Sequence, residues 1–223
     1  MLAFHGKSEI KETYLARVRA HALADEIAHG FYWENGKGCA VGCTIHSGAH
    51  KNYETELGIP IMLARLEDRL FEGMSKGKSK EFPERFLSAI RVGADLSLVG
   101  WKFLHWLLTE ELVSRDHPKV KDAIKRCADV LVPLTKGLPA DREEAIAARR
   151  EANYASYPAY PAYAVYSAYA ADAAAAASYA AYPAAAAYAG YAAAAAAYAA
   201  YPAAGSKSFS RMADKLIELI SQA

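Results

Sequence analysis

Between Ala152 and Ala204 the chain carries 30 alanines, 12 tyrosines and 4 prolines in 53 residues, and Asp172 is the only charged side chain there. Nothing else in the sequence restricts the fold as strongly. A helix without charges cannot stay solvated alone, so this segment must pack on something. Alanine is the best helix former and proline is tolerated only in a first turn. Pro161, Pro183 and Pro202 therefore divide the segment into two helices of similar length, a hairpin. In the second helix Tyr188, Tyr191 and Tyr198 fall within about 80° of one another, leaving an alanine face for a close neighbour. The three-residue spacing from Tyr154 to Tyr169 would align on a polyproline helix, but two prolines are too few for one and the α-helix is favoured from Pro161 onward.

The remaining sequence also reads as helices with clear punctuation. "SEIKETYLARVRAHALADEIAH" places Ile10, Tyr14, Leu15, Val18, Ala22 and Ile27 at helical spacing, between Ser8 and Gly30. Pro60 opens and Gly73 closes "PIMLARLEDRLFE", Pro83 opens "PERFLSAI", and Asp95 caps "LSLVGWKFLHWLLTEEL". Pro118 begins a helix with Val120, Ile124, Cys127 and Leu131 on one face, and the chain closes on an amphipathic helix through Phe209, Met212, Leu216, Leu219 and Ile220. Alternating strand patterns are missing. The expected fold is all-α: a compact multi-helix domain over residues 1–138, packed with the Ala/Tyr hairpin and closing helix of 139–223.

At 223 residues the chain can bury a core without disulfide or metal staples. Its 26 basic and 25 acidic residues nearly cancel, which speaks against nucleic acid as a partner. Three cysteines and a charged N-terminal stretch suit a cytoplasmic protein, and the tyrosine hydroxyls and neutral alanines of the tail do not suit a membrane span.

Chemistry concentrates in "ENGKGCAVGCTIHSGAH", Glu34 to His50. Cys39, Cys43, His46 and His50 at i, i+4, i+7 and i+11 would form one helical stripe about 16 Å long, too long for one tetrahedral ion. His46 with His50 remains as a metal pair, completed by a residue such as Glu34, with zinc the alternative to a cofactor-free site. Read plainly, the cysteines are small buried apolar residues and the histidines satisfied polar ones. Gly36, Gly38 and Gly42 around Lys37 could present bare N–H groups to an anion, although no Walker or dinucleotide spacing is present. Tyr32 and Trp33 precede the loop and supply stacking surfaces. A cysteine nucleophile assisted by His46 or His50 lacks a third member, and Glu67, Asp68 and Glu72 read as a solvated helix face paired with Arg65 and Arg69. No catalytic residue is assigned.

The block Tyr32 to Gly73, then "FLSAIRVGADLS" and an Ala/Tyr-rich tail ending in "ADKLIELI", resembles a family of uncharacterised bacterial and phage proteins. The tail and "HPKVKDAIKRCADVL" are also similar, in composition, to alanine-rich putative immunity proteins of toxin systems. Both resemblances imply a role in conflict between bacteria, phages and toxins. The expected function is a noncatalytic binder that sequesters a small anionic ligand, nucleotide-derived ligands included, through Tyr32, Trp33, Glu34, Asn35, Gly36, Lys37 and Gly38. The alternatives are a protein-binding immunity or inhibitor module, whose Ala/Tyr face would also serve as a homo-oligomer seam, and a metal-dependent enzyme using His46 and His50.

Overall fold

The computed structural model describes residues 1–111, 118–155 and 205–223. The expected Ala/Tyr hairpin, with its divisions at Pro161, Pro183 and Pro202, lies outside the described residues. Within them the protein is all-α, with one two-stranded ribbon as its only sheet. No helix among the described residues is long and apolar enough to cross a membrane. The chain divides into two compact units, Met1–Val99 with Phe209–Ala223, and Gly100–Ser208.

The first unit opens on a left-handed turn, Phe4, His5 and Gly6 all having positive φ, which drops the Phe4 ring into the core. Helix α1 (Ser8–Leu23) follows and buries Leu15 and Val18. It stops six residues before the predicted end because Asp25 adopts φ 55 and the chain leaves the helix axis. Ile27 is still buried, but by bridging to Gly38: the Gly38 N–H donates to Glu26 O at 3.1 Å and the Ala28 N–H to Gly38 O at 2.8 Å. Strands β1 (Trp33–Glu34) and β2 (Lys37–Gly38) form an antiparallel hairpin. Its turn is Asn35-Gly36 at φ 50 and 80, the left-handed pair that a tight two-residue hairpin turn requires. Strands this short do not show in a periodicity scan; the Asn-Gly dipeptide was their signal.

Short helices α2 (Ala40–Ile45) and α3 (Asn52–Leu57) lead into α4 (Ile61–Gly73). Helix α4 begins after Pro60 and buries Met62, Leu63, Ala64, Leu66, Leu70 and Phe71, a stripe that supplies much of this unit's core. Helix α5 (Lys76–Ser79) is a single turn within the basic "SKGKSK" stretch, and α6 (Phe82–Ala89) has Pro83 in its first turn as expected. The closing helix, numbered α10 (Gly205–Ser221), belongs here through its C-terminal part. Phe209, Met212, Leu216 and Ile220 are buried, the Phe209 ring lies against Gly73, and Arg85 pairs with Asp214 at 2.7 Å.

Helix α7 (Val99–Trp106) starts later than Asp95, whose carboxylate instead accepts the Ser97 N–H at 3.0 Å in a local turn. A π-helical turn, Leu107–Glu111, continues α7 in the second unit. Helices α8 (Pro118–Leu131) and α9 (Arg142–Ala155) pack there through small residues: Ala123, Cys127 and Ala128 on one, Ala145, Ala148 and Ala152 on the other. The Cys127 thiol points to Ala148 O at 3.7 Å, while Arg126 bridges Glu144 and Glu151 at the rim.

Candidate metal centre

Every described group of functional interest sits around α2. The helix is short, and its fit is set by glycine: a Cβ on Gly42 would lie 1.4 Å from Tyr32 O, and one on Gly38 2.0 Å. No side chain is tolerated where the Tyr32–Trp33 backbone crosses α2. That explains two of the glycines read as an anion loop. Their N–H groups are also engaged, Gly38 with Glu26 O, Cys39 with Phe31 O and Tyr32 O, and Gly42 with Cys39 Sγ. Gly36 belongs to the hairpin turn. Glu34, Asn35 and Lys37 lie exposed on the hairpin beside Tyr32, with Trp33 half-buried.

Helix α2 ends at Ile45 because His46 takes the left-handed conformation at its C-terminus, φ 51, and returns its N–H to Gly42 O at 2.8 Å. A non-glycine residue there costs roughly 1 kcal/mol. The predicted helix through "CTIHSGAH" is therefore broken by Ser47 and Gly48, and His46 and His50 enter different clusters. Tyr32 and Trp33 mark the two clusters, Tyr32 packing against His50 and Trp33 against His46.

The Tyr32 cluster is acidic and graded in burial, with Cys39 and His50 buried, Asp68 and Glu72 half-buried and Tyr32 exposed. Cys39 caps the N-terminus of α2, its Sγ accepting from the Gly42 N–H at 3.5 Å and donating to Asp68 Oδ1 at 3.7 Å. The other carboxylate oxygen of Asp68 accepts from His50 Nε2 at 3.1 Å and from the Tyr32 hydroxyl at 3.3 Å. One turn along α4, Glu72 accepts the Gly30 N–H with both oxygens at 3.1 Å. Ligand atoms of Cys39, Asp68 and Glu72 all lie within 4.8 Å of one another. These carboxylates are not a solvated face. Glu67 is fully buried, takes the Tyr53 hydroxyl at 2.7 Å on one oxygen, and leaves the other without a partner. Sequence spacing put Glu67, Asp68 and Glu72 together on one helical face, but could not show that Glu67 is buried or that Gly30, His50 and Tyr32 bond to the other two.

The electrostatics follow from packing acidic groups against a buried thiol. Burial pushes the Cys39 thiol far above its ordinary value, and the charges of Asp68 and Glu72 add to the shift against the opposing Gly42 N–H. It is a thiol, not a thiolate nucleophile. Desolvation raises Glu72, and carries Glu67 up to about 8. Cys43, also buried, is pushed up to about 12 by desolvation and donates to Gly38 O at 3.3 Å. A divalent cation among Cys39, Asp68 and Glu72 would reverse this balance, since a metal ion deprotonates a coordinating thiol. One pair of the set has the spacing of a shared ion, and all three ligand atoms lie within 4.8 Å of one another. Tetrahedral zinc with a thiolate at 2.3 Å and a carboxylate at about 2.1 Å places sulfur and oxygen about 3.6 Å apart, against the 3.7 Å between Cys39 Sγ and Asp68 Oδ1.

The Trp33 cluster is more open. His46 stacks on the Trp33 ring at 4.2 Å and 16°, and its Nε2 meets His21 Nε2 at 2.8 Å. His21 Nδ1 in turn lies 2.6 Å from Glu26 Oε2. His21 and Glu26 carried no signal in the sequence, because α1 and the segment after it meet α2 only in the folded chain. Comparison with protein-family models, curated proteins and solved structures finds no match for this chain.

Proposed function

We infer that the protein is metal-dependent, holding a divalent ion, with zinc as the best fit, through Cys39, Asp68 and Glu72. The observation that carries this reading is the spacing of one thiol and two carboxylates around a shared point, with Asp68 oriented by His50 and Tyr32. Hydrogen-bonded outer residues of this kind fix a ligand carboxylate. Three protein ligands leave a fourth coordination position open, the form that catalytic rather than structural zinc takes, and that position would admit water or substrate. The metal would then be held by His50 through Asp68 rather than by His46 and His50 as a direct pair.

Elemental analysis of protein purified without a histidine tag tests it. Zinc, iron or manganese is expected at about one ion per chain. His50→Gln should weaken binding about 10- to 100-fold, and Cys39→Ser or Asp68→Asn should weaken it further. Metal-free protein that takes up no ion from a buffered zinc solution would overturn the reading.

A second reading keeps a specific observation: Phe31 and Tyr32 are 38% and 43% exposed beside the exposed Lys37. An exposed aromatic pair next to an ammonium suits a noncatalytic binder of a small anionic, nucleotide-derived ligand in bacterial or phage conflict. A thermal-shift panel of nucleotides and cyclic nucleotides decides this one, and a flat panel removes its support.

A further inference from the structure

The two imidazoles at the C-terminal end of α2 meet in a way that few side-chain packings require. Their ring centroids are 5.1 Å apart and their Nε2 atoms 2.8 Å apart, so the nitrogens face each other head-on along the line between the rings. Lone pairs aimed at each other cannot converge on one metal ion, but they share one proton well. The Glu26 carboxylate at 2.6 Å holds the other nitrogen of His21 as an N–H donor. His21 Nε2 is then the acceptor, and His46 Nε2 carries the shared proton. That leaves Nδ1 as the basic nitrogen of His46, and no hydrogen bond reaches it among the described residues. His46 is exposed and pinned by its stack on Trp33, and it keeps a backbone conformation that glycine would hold without strain. Helix α1 and the segment following it thus supply His21, which meets this exposed ring, and Glu26, which holds His21.

We propose that Glu26, His21 and His46 form a proton relay, with His46 Nδ1 as a general acid–base serving a hydroxyl-bearing ligand, water included. His46 is the catalytic residue of this site, and His21 and Glu26 are positioning residues. In the forward step the O–H bond of the ligand breaks, its electron pair stays on oxygen, and the proton bonds to His46 Nδ1. The Nε2 proton of His46 crosses to His21 Nε2. The positive charge then rests on His21 beside the Glu26 carboxylate instead of on the exposed ring, and no oxidant or other co-reactant is needed. The surroundings give the relay something to overcome. Desolvation lowers the basicity of His46, and Arg17 and His21 lower it further, while Glu56 acts in the opposite sense. Arg17 is itself committed, donating to Thr44 O at 2.8 Å and lying over the Tyr14 ring, and Tyr14 donates to Glu56 at 2.6 Å. The inference does not depend on metal at Cys39, because it concerns other residues and is tested on metal-free protein.

The test is carbethoxylation of the full chain by diethyl pyrocarbonate, with each histidine followed by peptide mass across pH. In Glu26→Gln the plateau rate at His46 should fall about tenfold and its pH midpoint should move to lower pH, while exposed His5 keeps its rate. An unchanged or faster His46 in Glu26→Gln would overturn the relay, since mere loosening of a structural contact frees the ring. Nitrogen NMR of the wild-type chain provides an independent check. His46 must carry its proton on Nε2 at pH 7.5, and the opposite tautomer overturns the proposal even if the variant fails to fold.

Discussion

The two ends of α2 differ more than the six residues between them suggest. Cys39 and His46, about 10 Å apart along the helix, are its two caps, yet one faces a part-buried acidic cluster and the other a half-buried imidazole, His21. Cys39 is 1% exposed beside Asp68 and Glu72; His46 lies open beside Trp33. In the first cluster Asp68 is paired with His50 at 3.1 Å, and in the second His21 is paired with Glu26 at 2.6 Å. The difference teaches that burial, more than residue type, sets the proton affinity of neighbouring thiol, imidazole and carboxylate groups.

The sharpest way to break this comparison is to remove the packing that both clusters share. Gly42→Ala drives a methyl into Tyr32 O, and should cost about 3 kcal/mol or more in urea denaturation while disturbing Tyr32 and Trp33 together. If Gly42→Ala melts like the wild type, the crossing of the Tyr32–Trp33 backbone over α2 is wrong. A smaller effect, confined to the acidic side, is expected of Tyr53→Phe. It strips the donor from buried Glu67, costing about 1–3 kcal/mol, and should leave the reactivity of His46 unchanged.

The smallest effect belongs to the exposed side and depends on pH. His46 is held below its ordinary value of 6.5, so below that pH the unfolded chain binds a proton that the folded chain resists. On account of this group stability falls as pH drops from 7 to 5. In His46→Gln that fall should be shallower, read as the difference in melting temperature between the two pH values. An equal or steeper fall would show that His46 is not the group penalised by folding.

Much of the fold was legible because its signals are local. Pro60, Pro83 and the apolar spacing of α4 and α10 act within one or two turns of chain, and the helices appear where those signals placed them. The early end of α1 was not legible: Ile27 keeps helical spacing in sequence but is buried by a bridge to Gly38, a contact that spacing cannot report. The site divided in the same way. Glu34 to His50 was correctly marked as the chemically dense stretch, and all of Cys39, His46 and His50 lie there. Their partners Asp68, Glu72, His21 and Glu26 come from α4, α1 and the turn after α1, and each looks like an ordinary surface residue in its own helix.

By itself the sequence determined the helical class and the concentration of chemistry between Glu34 and His50, because propensity, hydrophobic period and composition act over a few residues. Only the tertiary structure decided that His46 and His50 part company, that Cys39 joins Asp68 and Glu72, and that His21 meets His46. Those pairings depend on helices crossing at glycine contacts such as Gly42 against Tyr32, and the desolvation that gives each group its character exists only once the crossing is made.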